Sequence, residues 1–180
     1  MKVLSLDNST KSTGYSVWCD EELLYYGCIK SNEDNLYSRI KYMGSEIDKL
    51  IKENNIQLIY AEEVPLISNN TATMLTLGTL KGYILGVANY NNIEIKFIPV
   101  GTWRKEIDGM FDGTKEGKTR LALKKRSIEI ANEIYGLELI YKSPTSRFNS
   151  DDISDSILLF HSIIHPKELK SKPNGFGTRR

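Results

Sequence analysis

The run Ile56-Gln57-Leu58-Ile59-Tyr60-Ala61 constrains the fold more than any other stretch of this chain. It is too short to be a helix of its own and lacks the alternation of a half-exposed strand. It therefore reads as a strand buried on both faces, the habit of a parallel sheet. Ahead of it, residues 33–54 place Leu36, Ile40, Met43, Ile47, Leu50 and Ile51 on one side of a helix. Before that helix come three strands, Val3–Asp7, Gly14–Cys19 and Leu23–Lys30, joined by a Ser/Thr/Asn turn (Asn8 to Thr13) and an acidic turn at Asp20–Glu22. After the buried run, the pattern predicts a helix over 69–89, a strand Glu94–Ile98 closed by Pro99, a mobile loop over 100–117 and a helix over 118–135. A turn-rich link (Ser143, Pro144, Ser150) leads to a last helix carrying Ile153, Ile157, Phe160 and Ile164. Three antiparallel strands followed by alternating helix and strand predict an α/β fold: a central mixed five-stranded sheet with helices on both faces. One domain over 1–165 accounts for this pattern. The basic segment 166–180 has no periodicity and is expected to be a disordered tail.

Composition narrows the class. A hydrophobic content of 40% and a charged content of 26% are ordinary globular values and exclude disordered and fibrous chains. The net charge of +1 hides an asymmetry, with 8 Lys and Arg against 12 Asp and Glu in residues 1–95, and 16 against 11 in residues 96–180. An acidic site beside a basic surface suits a polyanionic substrate. No stretch approaches the ~20 apolar residues of a membrane span, and no secretory signal pattern opens the chain. Cys19 and Cys28 fall out of register on neighbouring strands, so they are expected to be free thiols in a reducing cytoplasm.

Four carboxylates carry the chemistry. Asp7 ends the first strand, Glu62 (beside Glu63) ends the buried run, and Asp152 and Asp155 stand three apart on the last helix, sharing one side of it. Three of them have a plainer explanation: Asp7 stabilising the next turn, Glu62 and Glu63 as solvated strand-end charges, and Asp152, with Asp151, complementing the dipole of a helix capped by Ser150. None of these requires Asp155. Carboxylates gathered together resist ionising unless a cation holds them, and hard oxygen donors in this number suit magnesium or manganese. Alternation puts Val3, Ser5 and Asp7 on one face of their strand, and allows only one of Glu62 and Glu63 to face a common site.

Asp7-Asn8-Ser9-Thr10-Lys11-Ser12-Thr13-Gly14-Tyr15 resembles the opening strand and turn of the RuvC family of Holliday junction resolvases. Ala61-Glu62-Glu63-Val64, with Leu77-Gly78 and Lys81-Gly82 beyond it, is similar to that family's second acidic strand and the helix after it. Asp152-Ile153-Ser154-Asp155 matches its terminal Asp-x-x-Asp. The resemblance covers residues 3–164 in unchanged order and implies an RNase H-like fold. It also implies a site in which Asp7, Glu62, Asp152 and Asp155 are both catalytic and metal-binding, with two magnesium ions (manganese substituting). Glu62 is selected over Glu63 because the family places the ligand first in Glu-x-Val. The implied activity is paired nicking of four-way junctions, extending to three-way junctions and flaps, by a homodimer that leaves 5′-phosphate and 3′-hydroxyl ends. Pro65 departs from the family at a position where well-studied members carry a stacking aromatic. Trp103-Arg104-Lys105 and the basic tail look like phage-encoded members, which would act in the cytoplasm of a bacterial host.

Arg104, Lys105, Lys115, Lys118, Lys124 and Lys125 form the densest basic region and are the expected phosphate contacts, within a run that also holds Arg120 and Arg126. The resemblance singles out Lys118. Gly78, Gly82 and Gly86, spaced by four on a helix, form either a flat dimer contact, as the resemblance implies, or a close packing within one chain. His161 and His165 are expected at the surface. Two rivals stand against a nuclease: a non-catalytic branched-DNA-binding protein on the same fold, and a fragment of an actin or sugar-kinase type phosphotransferase. The latter needs two such lobes, and four intact acids beside a phosphate backbone disfavour the former.

Overall fold

The computed structural model describes residues 1–63 and 71–167. The expectations for Pro65 and for the tail from residue 168 onward lie outside the described residues. The strands β1 (Lys2–Asp7), β2 (Ser12–Cys19), β3 (Glu22–Lys30), β4 (Leu58–Glu63) and β5 (Glu94–Pro99) form one sheet in the order β3-β2-β1-β4-β5. β1 runs antiparallel to β2 and parallel to β4, and β5 is parallel to β4. The helices are α1 (Leu36–Asn54), α2 (Thr71–Tyr90), α3 (Val100–Trp103), α4 (Arg120–Tyr135) and α5 (Asp151–Ile164).

Alternation along the strands divides the core into two layers. Leu4, Leu6, Val17, Ile59 and Ala61 point to the face covered by Ile40, Met43 and Ile47 of α1 and by Leu80, Ile84 and Ala88 of α2. Val3, Trp18 and Leu58 point the other way, onto Ile157 and Phe160 of α5. Helices therefore lie on both faces, as the pattern predicts. Local chemistry sets the ends of α1. The Asn35 side chain accepts the Ser38 N–H at 2.9 Å, and Asn55 closes the helix in the left-handed conformation (φ 52°). Cys19 and Cys28 are both free, with Cys28 facing Gly14 across the β2–β3 ladder. Among the described residues no helix is long and apolar enough to cross a membrane.

Three expectations need correction. The segment 100–117 is not a loop throughout: α3 and a 3₁₀ turn (Arg104–Glu106) occupy its start. Trp103, Ile107 and Met110 are buried against Leu123, Leu158 and Leu159 of α4 and α5. An apolar residue every three or four positions is a helical signal that four glycines obscured. His161 is not a surface residue. Its Nδ1 lies 2.6 Å from the Tyr135 hydroxyl, and burial, with His165 beside it, pushes its pKa down to about 4. Ser150 precedes α5 but its side chain makes no cap; the hydroxyl accepts the Ile140 N–H at 3.2 Å instead.

Candidate active site

Asp7 and Glu62 reach the same edge of the sheet because β1 and β4 are parallel neighbours and both acids close their strands. Parity decides which glutamate faces inward. Glu62 follows the alternation of Leu58 and Tyr60 toward α5, whereas Glu63 turns to the α2 side, where its Oε1 lies 2.5 Å from Lys81 Nζ. Asp152 and Asp155 arrive on the first turns of α5. This helix crosses β2 so closely that a Cβ on Gly14 would stand 1.8 Å from the Asp152 carbonyl oxygen. Gly14 is the residue opposite Asp7 in the β1–β2 register, so its missing side chain seats α5 directly over the first acid.

The four carboxylates act on one another. Burial, and then the charges of Glu62, Asp155 and Asp152, hold the Asp7 carboxyl well above the usual carboxylate range, with Arg104 opposing. Glu62 is pushed up to about 7, first by burial and then by Asp155, with Arg104, the Trp103 N–H and Arg120 pulling it back. Asp152 and Asp155 are raised by burial as well. Their hydrogen bonds come from three segments. Ser12 Oγ donates to Asp152 Oδ2, Trp103 Nε1 donates to Glu62 Oε2 at 3.1 Å, and an Arg104 Nη donates to Asp155 Oδ2 at 2.7 Å.

Two of the expected phosphate contacts are placed otherwise. Arg104 is only 17% exposed in its side chain and is drawn into the carboxylates, its guanidinium 5.0 Å from the Trp103 ring centre. Lys124 is paired with Asp151. In each case a buried acid without another counter-charge outcompetes water for the nearest cation. Lys105, Lys115, Lys118 and Lys125 are exposed, with Lys118 in the turn just before α4 rather than within it. Reasoning from sequence passed over three participants: Ser12, Trp103 and Arg120.

The donor set fits a hard divalent cation: all four groups are carboxylates, and Asp155 Oδ1 is buried with no hydrogen-bond partner. Among the described residues, however, no three Asp, Glu, His or Cys side chains stand at ligand spacing, because Ser12, Trp103 and Arg104 engage three of the acids.

The raised acids set a stability trend in metal-free protein. Glu62 titrates near 7 when folded and near 4.5 otherwise, so the native state holds a proton that the unfolded chain releases. Stability is then greatest at the acidic end of this window and falls as pH rises from 4.5 through about 7. The loss is of order a few kcal/mol, or roughly 5–10 °C for a domain of this size. Thermal melts in EDTA across this range should show the decline, and magnesium should reverse it. A melting point that climbs instead would mean the acids are already satisfied.

Comparison with known proteins agrees with this fold. The RuvC crossover junction endodeoxyribonuclease of Rickettsia conorii is 26% identical over 121 residues, 64% of this chain and 76% of that one. The fold matches Thermus thermophilus RuvC, solved with a Holliday junction substrate, at a TM-score of 0.63 and 14% identity, covering 94% of this chain and 99% of that one. The fowlpox virus Holliday junction resolvase matches at 0.57 and 15% identity, covering 91% and 98%. The RNase H-like fold and the RuvC likeness read from the sequence are thereby borne out. A family model described as Lactococcus phage M3 protein matches residues 1–160, and the chain belongs to that family.

Proposed function

We propose that this protein is a structure-selective DNA endonuclease that resolves four-way junctions, with three-way junctions and flaps as further substrates. The observation that carries the reading is the convergence of Asp7, Glu62 and Asp155 from β1, β4 and α5, with Glu62 and Asp155 raising the pKa of Asp7 and Asp155 raising that of Glu62. Asp7, Glu62, Asp152 and Asp155 would hold two magnesium or manganese ions. When bound, such ions would supply water activation for in-line attack and stabilisation of the leaving 3′ oxygen, with a 5′ phosphate as the product. The chain's own residues do the rest. Trp103 orients Glu62, Ser12 orients Asp152, and Lys105, Lys115, Lys118 and Lys125 offer cations to the flanking phosphates. Arg104 neutralises Asp155 until a divalent cation replaces it. The site of action is the cytoplasm of a bacterial host.

Nicking of four-way, three-way, flap and linear DNA, with magnesium and with EDTA, tests the reading. Binding without nicking under every cation would favour the non-catalytic rival. Glu62→Gln should abolish nicking, whereas Glu63→Gln should leave it near wild type, since it removes only a partly exposed ion pair worth ~0–1 kcal/mol. An essential Glu63 and a dispensable Glu62 would refute the assignment.

Paired nicking needs two sites, and α2 supplies a surface for a homodimer. Gly78, Gly82 and Gly86 are exposed, and among the described residues a Cβ on any of them meets nothing within 4 Å, which favours a contact outside the chain over packing within it. Leu75 and Leu85 are exposed on the same helix. Gly82→Leu should remain folded, elute as a monomer in size-exclusion light scattering, and make slow, uncoupled single nicks. A dimeric and fully active variant would move the interface elsewhere.

A further inference from the structure

A groove of about 420 Å³ opens beside Asp152, lined by Lys11 of the β1–β2 turn, Ser12 at the start of β2, Lys30 at the end of β3 with Ser31 and Asn32 just beyond it, and Arg147 and Phe148. Its walls come from three separate parts of the chain, and its floor is a carboxylate of the candidate site. Among the described residues Lys11, Lys30 and Arg147 form no ion pair with an acid, unlike Arg104 and Lys124. The one acid at the groove, Asp152, is occupied by Ser12. The wall is therefore cationic and free for an anionic ligand.

Phe148 is 56% exposed, and its ring centre lies 4.8 Å from Lys142 Nζ and 5.2 Å from the Arg147 guanidinium carbon. Its position is built rather than incidental, because the link bearing it closes on itself. Ser150 N–H donates to Ile140 O at 2.9 Å, Lys142 N–H to Asn149 Oδ1 at 2.9 Å, and Asn149 Nδ2 to Ser143 O at 2.7 Å. Long connections that bond to themselves in this way are commonly functional. An aromatic face that attracts cations also accepts a nucleobase, and a base between cations places its phosphates on them.

We propose that this groove is a nucleotide subsite, bordering the carboxylates at Asp152, that takes one unpaired nucleotide next to the scissile phosphate, with its base on Phe148 and its phosphates on Lys11, Lys30 and Arg147. The subsite rests on the nuclease reading above and sets which strand of a branch point enters the cut.

A four-way junction carrying 2-aminopurine at each crossover nucleotide in turn, titrated in EDTA so that it stays intact, tests this. Wild-type protein should quench one position. Phe148→Ala should lose that quench and weaken binding about tenfold or more with an unchanged salt slope, while Phe148→Tyr keeps both. Lys11→Ala and Lys30→Ala should each lower the slope of log affinity against log salt by about one. Equal affinity and quench in Phe148→Ala overturn the subsite, as does weaker binding with the quench retained. Absence of DNA binding by the wild type overturns both this subsite and the nuclease reading. Quenched binding without nicking under any divalent cation overturns the nuclease reading and leaves the subsite standing.

Discussion

Asp7→Asn is expected to bind four-way junctions as tightly as the wild type, or more tightly, and to cleave them about three orders of magnitude more slowly. A loss of that size is ~4 kcal/mol of transition-state stabilisation at 1.36 kcal/mol per decade. The two effects part company because Asp7 serves charge rather than packing. It lies at a strand end, its carboxyl is raised by burial and by all three other acids, and the exposed lysines lie elsewhere. Replacing it with an isosteric amide removes one anion from a cluster facing a phosphate backbone, which relieves repulsion as it removes a cation ligand. Stability should rise in metal-free protein for the same reason. Single-turnover cleavage and a binding titration on one preparation check both halves. Cleavage that survives at saturating magnesium would remove Asp7 from the site.

The second large effect belongs to a residue with no chemistry. Gly14→Ala should reduce cleavage about a hundredfold and lower stability by roughly 1–3 kcal/mol or more, the usual range for overpacking. The added methyl meets backbone, the Asp152 carbonyl at 1.8 Å and the Ile153 nitrogen at 2.8 Å, so no rotamer change relieves it. The helix must lift, and Asp152 and Asp155 lift with it, away from Asp7 and Glu62. Gly113→Ala provides the contrast. Its φ of +86° makes it strained, but nothing lies within 4 Å, so it should cost stability without a matching loss of rate. If Gly14→Ala retains activity after correction for the folded fraction, α5 does not depend on β2 for its seat.

What could be read in the sequence was whatever repeats with a short period. Glu62 and Glu63 are adjacent, yet a period of two assigns them to opposite faces, and the structure places them with Trp103 and Lys81 accordingly. Asp152 and Asp155 share a helical side by the same logic. Trp103 and Arg104 were out of reach because their burial depends on docking against α5, some fifty residues on. Nothing local distinguishes an arginine that will meet phosphate from one that will meet Asp155. His161 was missed in the same way, since Tyr135, its partner, belongs to another helix. Gly14 was quoted as part of a pattern, but its physical reason, a helix crossing within touching distance, exists only in three dimensions.

The hydrogen bond from Ser12 to Asp152 spans 140 residues and joins the first hairpin to the last helix described. Synthesis proceeds from the N-terminus, so a ribosome releasing this chain has the hairpin, both α1 and α2 and the whole sheet outside its tunnel before the helix that completes the site. A nascent chain stalled between residues 63 and 151 carries only Asp7 and Glu62 of the four acids, beside an open sheet face. The order of elements thus leaves the four-carboxylate cluster incomplete until the last helix described has been made.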